Sequence, residues 1–250
     1  MTELDGWLDR VHCGDCLKVL RELPDCSVDA VITDPPYGIS GPNKVRVRGH
    51  ANGIDSYNAM PGDFGPEDLE ADTGWFAEAA RAIRPGGSLV VFSSVDALHD
   101  IRRSGETVAL DVRQAWFWCK TNPPPTPREN MASAVECGWW FRKPGGPVTW
   151  NGGHVCPNHF VGPKDSGTYA QGHRVHPMQK PAWLMERMVE LWSNEGDVIL
   201  DPFAGSASCG VAAVSMGRRY IGIEIDETHA ANANRRLEAA LRDRQPALDL

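Results

Sequence analysis

Asp197-Val-Ile-Leu200, then Asp201-Pro-Phe-Ala-Gly-Ser-Ala-Ser208, then Tyr220-Ile-Gly-Ile-Glu-Ile225 form the stretch whose reading decides the fold. The first piece reads as a short buried strand and the second as a glycine-containing turn. The small-residue run from Cys209 to Met216 reads as a helix. Arg218-Arg219 then lead into a second strand that ends on the acid Glu224. Strand, turn, helix and acid-terminated strand make the unit with which a parallel sheet binds a nucleoside at the carboxyl ends of its strands. Glu224 lies 19 positions after Gly205, the usual distance for an acid that grips ribose hydroxyls. The turn lacks G-x-G-x-x-G, so a pyrophosphate cradle is not favoured. A nucleoside cofactor without a diphosphate fits, and S-adenosyl-L-methionine is the obvious one. The plain alternative is a helix-capping loop with no ligand.

A second stretch lies far upstream. The apolar run Val28-Asp-Ala-Val-Ile-Thr33 reads as a central strand, and Asp34-Pro35-Pro36-Tyr37 leaves it. Asp34 can accept one hydrogen of a planar amine and the Pro35 carbonyl the other. The two prolines stiffen the loop before any substrate arrives, and Tyr37 offers a stacking face. The lone pair of an exocyclic amine on a nucleobase is conjugated into the ring, so the amine is a poor nucleophile. Two acceptors on its hydrogens favour a pyramidal nitrogen with a freed lone pair. Taken alone, Asp-Pro-Pro is also ordinary turn chemistry.

The two stretches together resemble motifs IV (Asp-Pro-Pro-Tyr) and I (Asp-Pro-Phe-x-Gly-Ser-Gly-Thr) of the DNA amino-methyltransferases, which methylate N6 of adenine or N4 of cytosine. Asp15, in Cys13-Gly-Asp-Cys16, matches the family acid that contacts the cofactor's adenine. His176-Pro-Met-Gln-Lys-Pro181 resembles the family's motif X, beside the methionine end of the cofactor. The order Asp15, Asp34, variable middle, Lys180-Pro181, Asp201, Glu224 is that of the β class. The resemblance implies an α/β fold: a doubly wound, mostly parallel, seven-stranded Rossmann-like methyltransferase sheet with an inserted target recognition region. It implies catalytic roles for Asp34, Pro35, Pro36 and Tyr37. It implies cofactor contacts from Asp15, Asp34, Lys180, Pro181, the turn Asp201, Pro202, Phe203, Ala204, Gly205 and Ser206, and from Glu224 and Ile225. Ala207, Ser208 and Met178 depart from the family's usual Gly, Thr and Thr. Family members acting on cytosine more often carry Ser in place of the Asp, so Asp34 favours adenine N6 in duplex DNA. Cytosine N4, or an RNA or protein amide, is the alternative. The resemblance further implies double-stranded DNA as partner, with a cognate restriction endonuclease and a homodimer as candidate associations.

Working outward, residues 1–120 and 176–250 are expected to form the catalytic and cofactor-binding domain, with a helix from Ala182 to Trp192 leading into its cofactor half. Residues 39–72, rich in Gly, Pro, Asn and Asp, are expected to form a mobile loop. Thr121-Asn-Pro-Pro-Pro-Thr-Pro127 opens the insert, expected to run over 121–175. There Arg142, Lys143 and Arg174 mix with Trp139, Trp140 and Trp150; the loop adds Lys44, Arg46 and Arg48. These six basic side chains are the candidate DNA contacts, while the tryptophans read better as a small core.

The net charge of -8 is awkward for a nucleic-acid partner, but residues 101–190 carry 11 basic and 7 acidic side chains. Seven cysteines without a disulfide framework point to a reducing, cytoplasmic, DNA-associated setting. No apolar run suits a membrane span, and the N-terminus lacks a signal-peptide profile. Cys137, His154, Cys156 and His159 do not have the spacing of a zinc finger, so no metal is expected.

Overall fold

The computed structural model describes residues 4–36, 74–126, 131–165 and 179–244. Tyr37, Lys44, Arg46, Arg48, Arg174, His176, Pro177, Met178 and the loop 39–72 lie outside the described residues. Among the described residues the elements run β1 (Arg10–Cys13), α1 (Cys16–Glu22), β2 (Val28–Thr33), α2 (Gly74–Ala82), β3 (Ile83–Ser93), α3 (Leu98–Thr107), β4 (Asp111–Lys120), β5 (Val135–Arg142), β6 (His159–Gly162), α4 (Ala182–Trp192), β7 (Val198–Asp201), α5 (Ser208–Ser215), β8 (Arg219–Glu224) and α6 (Glu227–Arg244). The strands form one sheet in the order β1-β8-β7-β2-β3-β5-β4-β6. Only the β3–β5 and β5–β4 pairings are antiparallel.

Helices cover both faces, which is why the central strands read as unbroken apolar runs. Val28, Ala30, Val31 and Ile32 are all buried. On one face α4, α5 and α6 pack their Leu, Met, Val and Ala side chains on Ile32, Val90, Phe92 and Ile199. On the other, Leu20 of α1, Trp75 and Phe76 of α2 and Ile101 of α3 meet Val31, Leu89, Val91 and Leu200.

The sheet has eight strands rather than the expected seven, and two of them come from the segment 121–175. Its residues Val135–Arg142 are β5, a full partner between β3 and β4, and His159–Gly162 adds an edge strand parallel to β4. The pairing explains the glycine in Cys-Gly-Trp-Trp. A Cβ at Gly138 would stand 2.2 Å from the Val91 carbonyl and 2.3 Å from the Trp116 ring, so only glycine fits. Trp140 stacks on Trp150 at 4.8 Å and both lean on Trp192. Trp140 and Trp150 pack, partly buried, against the layer under α4, whereas Trp139 packs on the opposite face of the sheet.

Among the described residues, no helix is long and apolar enough to cross a membrane.

Candidate active site

β2 and β7 are neighbours, so the loops leaving their carboxyl ends emerge side by side. The joint is a buried hydrogen bond: the Thr33 hydroxyl donates to Asp201 Oδ1 at 2.7 Å, across 168 positions of sequence. Asp34 therefore starts where the turn Asp201–Ser206 starts. The two sequence motifs meet at one junction of the sheet.

The turn is built from the inside. Asp201 is 5% exposed, and its carboxylate also accepts from the Phe203 amide at 3.2 Å and faces the Tyr220 hydroxyl at 3.5 Å. Those contacts use Asp201 to shape the turn and leave the turn's backbone toward the open side. Burial pushes the Asp201 carboxyl up to about 7. The Thr33 and Phe203 hydrogen bonds oppose that rise, and the charges of Asp34 and Glu224 add to it. Pro202, Ala204 and Ser206 are buried. Phe203 packs edge-on against Trp75 at 5.1 Å, and the Ala204 amide donates to the Ile223 carbonyl. The Arg236 guanidinium of α6 donates to the Ser206 carbonyl. Ala207 sits in the left-handed region at φ 54°, at the N-cap of α5. That conformation accounts for the family's glycine at this place.

Between about pH 4 and 7 Asp201 is neutral in the folded chain and ionised in the unfolded one. Its contribution to stability is therefore full below about pH 4 and is lost as pH rises to about 7. Asp201→Asn keeps the acceptor for Thr33 and removes the charge. It is expected to be more stable than the native chain by about 2 kcal/mol at pH 8, with the difference closing toward pH 4. Thermal melts at the two pH values check this, and a difference independent of pH contradicts it.

Glu224 ends β8 beside the end of β1, where Cys13 is its register partner and the Gly14 amide donates to its carbonyl. Its carboxylate accepts from the Gly205 amide at 2.9 Å on one oxygen and from the Asp226 amide at 2.9 Å on the other. A carboxylate so fixed has lone pairs left for a vicinal diol. Ile225, 57% exposed, gives an apolar face next to it. Asp15 caps α1 by accepting from the Lys18 amide at 3.0 Å, and the short path from Cys13 brings it to the same rim. Asp15, Gly205, Glu224 and Ile225 thus line one edge.

Asp34 faces the other way along the sheet. Lys180, just before α4, pairs with Asp34 and lies 3.3 Å from Glu136 of β5. Its ammonium stands 4.9 Å from the Phe92 ring. Burial alone would lower the Lys180 pKa, but Asp34 and Glu136 outweigh it and raise it. Burial likewise opposes ionisation of Glu136, yet Lys180 and Lys120 hold its pKa below the usual range. The family resemblance puts Lys180 on the cofactor; in the structure it pairs with Asp34 and Glu136. Pro181 is the N-cap of α4.

Arg142 and Lys143 lie away from Asp34. Ser88 is the register partner of Arg142, on the amino side of β3, and Arg142 is bound to Asp111 at 2.8 Å. Lys143 donates to the Arg81 and Ile83 carbonyls at 3.1 and 2.7 Å. Both sit toward the end of the sheet opposite Asp34. Three of the eleven basic side chains of residues 101–190, Lys120, Arg142 and Lys180, face carboxylates. Cys137 is buried in β5 and donates to the Ser93 carbonyl. Among the described residues no three His, Cys, Asp or Glu side chains converge as a metal site.

Sequence reasoning missed Thr33, Tyr220, Lys120 and Glu136. Thr33 had a signal, since it directly precedes Asp34. Glu136 had none, because nothing local marks its strand.

The comparisons agree with this geometry. A profile of the N6/N4 DNA methylase family matches residues 28–235. The type II methyltransferase M2.DpnII of Streptococcus pneumoniae is 29% identical over 239 residues, covering 92% of this chain and 89% of that one. Among solved structures, the DNA modification methylase TTHA0409 of Thermus thermophilus, complexed with S-adenosyl-L-methionine, is 26% identical with a TM-score of 0.60. The match covers 93% of this chain and 95% of that one. The cytosine-N4-specific PvuII DNA methyltransferase shares the fold at 19% identity and a TM-score of 0.69, covering 93% and 90%. With the family profile spanning both Asp34 and Glu224, the chain belongs to the N6/N4 DNA methylase family.

Proposed function

We propose that this chain transfers a methyl group from S-adenosyl-L-methionine to the exocyclic N6 of adenine in duplex DNA. The observation that carries the reading is the Thr33–Asp201 hydrogen bond, which sets amine acceptors and cofactor turn at one sheet junction. The site fits that cofactor: a fixed Glu224 carboxylate for a ribose diol, an exposed Ile225 and the Asp15 rim for a purine, and no diphosphate cradle. Bound there, the cofactor supplies an electrophilic methyl group.

The chain's own residues do the rest by positioning. The target base must leave the duplex stack, since its amine is otherwise paired, and unstacking costs a few kcal/mol. Asp34 and the Pro35 carbonyl hold the amine hydrogens and aim the nitrogen lone pair toward the cofactor turn. As the new N–C bond forms, positive charge grows on that nitrogen, and the Asp34 carboxylate stabilises it. The amine proton then leaves through Asp34 to water. No covalent enzyme intermediate is needed. Lys44, Arg46, Arg48 and Arg174 are proposed as phosphate partners from their charge alone, and Tyr37 as the stacking face for the extruded base.

Asp34 favours adenine, and the same acceptors suit cytosine N4. Mass spectrometry of nucleosides from duplex DNA incubated with the protein and cofactor tests the choice. N6-methyladenine supports the reading, N4-methylcytosine moves it to the other base, and label found only in RNA or protein overturns it. A restriction endonuclease partner and a homodimer stay proposals, the first suggested by the relatives being type II enzymes.

A further inference from the structure

Glu136 on β5 and Lys120 at the end of β4 have no part in the roles above, yet they are tied to the reacting carboxylate. Lys120 Nζ lies 2.8 Å from Glu136 Oε1, Lys180 Nζ lies 3.3 Å from Glu136 Oε2, and Lys180 also pairs with Asp34. The charges alternate along Lys120, Glu136, Lys180 and Asp34. Both lysines are nearly buried, with side chains 10% and 9% exposed, and each lies over an aromatic ring: Lys120 over Trp118 at 5.3 Å, Lys180 over Phe92 at 4.9 Å. β5 brings Glu136 to the Asp34 end of the sheet, since its neighbour Cys137 is the register partner of Ser93.

We infer that Glu136, anchored by Lys120, is a positioning residue for methyl transfer: it divides the hold of Lys180 so that Asp34 keeps acceptor capacity for the target amine. The inference rests on the methyl-transfer reading above. Its basis is the sign of the charge that moves. The amine lone pair forms the N–C bond, the S–C bond breaks with its electrons remaining on sulfur, and the positive charge passes from sulfur to nitrogen until the amine proton leaves. A lysine ammonium beside Asp34 pairs with that carboxylate, but it also opposes a cation growing next to it. Glu136 offsets that opposition. The four groups sum to zero as they stand, and Glu136→Gln leaves the cluster with one net positive charge. It also removes the competitor for Lys180, which then rests on Asp34 alone.

The test compares native protein, Glu136→Gln and Glu136→Asp on duplex DNA. Single-turnover methyl transfer, cofactor Kd by calorimetry and thermal melting are measured side by side. The expected result is a single-turnover rate about 10–100-fold lower for Glu136→Gln, with cofactor Kd within about threefold of native. Glu136→Asp, which restores the charge on a shorter stem, recovers part of the rate. A Glu136→Gln protein that turns over at the native rate overturns the inference. So does a loss of cofactor affinity and melting temperature in step with the rate, which would mark Glu136 as a structural ion-pair partner only. Native protein that transfers no methyl to DNA sinks the underlying reading and this inference with it, whereas active native protein indifferent to Glu136→Gln sinks this inference alone.

Discussion

Asp34→Ala loses methyl transfer by at least about 10^2–10^3-fold while cofactor affinity stays within about threefold of native. The asymmetry follows from where the carboxylate points. Asp34 leaves β2 toward Lys180, and the groups that line the cofactor rim, Glu224, Gly205 and Asp15, are held without it. In the proposed mechanism, removing it deletes the acceptor that orients the amine and the charge that stabilises the forming cation. The variant folds, because Lys180 retains Glu136 as a partner and so does not become an isolated buried cation. Single-turnover kinetics with methyl-labelled cofactor, together with calorimetry on the same samples, read the two quantities separately. Near-native turnover would end the assignment of Asp34. Loss of cofactor affinity in parallel with rate would show instead that the two pockets are not separable.

Lys180→Met has the second large effect, and it falls on stability as well as rate. Met fills a similar volume under Phe92 but leaves Asp34 and Glu136 facing each other without the cation between them. The two carboxylates have side-chain exposures of 26% and 30%, so water screens part of the repulsion. Breaking a fully buried pair costs about 3–5 kcal/mol. This half-buried one is expected to cost about 2 kcal/mol, a fall of about 4–8 °C in melting temperature for a chain of this size. The double variant Lys180→Met, Asp34→Asn regains part of the loss because it removes one of the two facing carboxylates while Glu136 keeps Lys120 at 2.8 Å. Urea denaturation of native, single and double variants checks the order. A single variant as stable as native would mean that the ion pair contributes nothing measurable.

Much of the fold was legible because burial on both faces leaves a mark. Val28–Thr33 and Asp197–Leu200 read as strands ended by turn residues, and they became the central strands Val28–Thr33 and Val198–Asp201. The helix Ala182–Trp192 matched its expected bounds because its apolar residues recur at helical spacing. β5 was illegible for the opposite reason. Its basic end suggested a surface reader, while the fact that makes it a strand, the contact of Gly138 with Val91 and Trp116, is tertiary. β1 and β6 are only four residues each and too short to show a period. At the site, Asp34, Gly205 and Glu224 came from motifs that fold locally. The partners of Lys180 lie 146 and 44 positions away, so no local pattern could name them. Charge counting pointed to Arg142 and Lys143 because composition cannot tell a solvated cation from one already matched to Asp111 or to carbonyl oxygens.

The late position of β7 also bears on how the chain is made. Asp29 in β2 bonds the amide of Val198 across 169 positions. At ribosomal rates of roughly 5–20 residues per second, that partner emerges about 10–30 s after β2. For that time one flank of an apolar strand has no neighbour, and such an open flank invites pairing with other nascent chains. Synthesis under scarce chaperone supply should therefore lower the soluble yield of this protein more than that of an α/β chain whose central strands are consecutive.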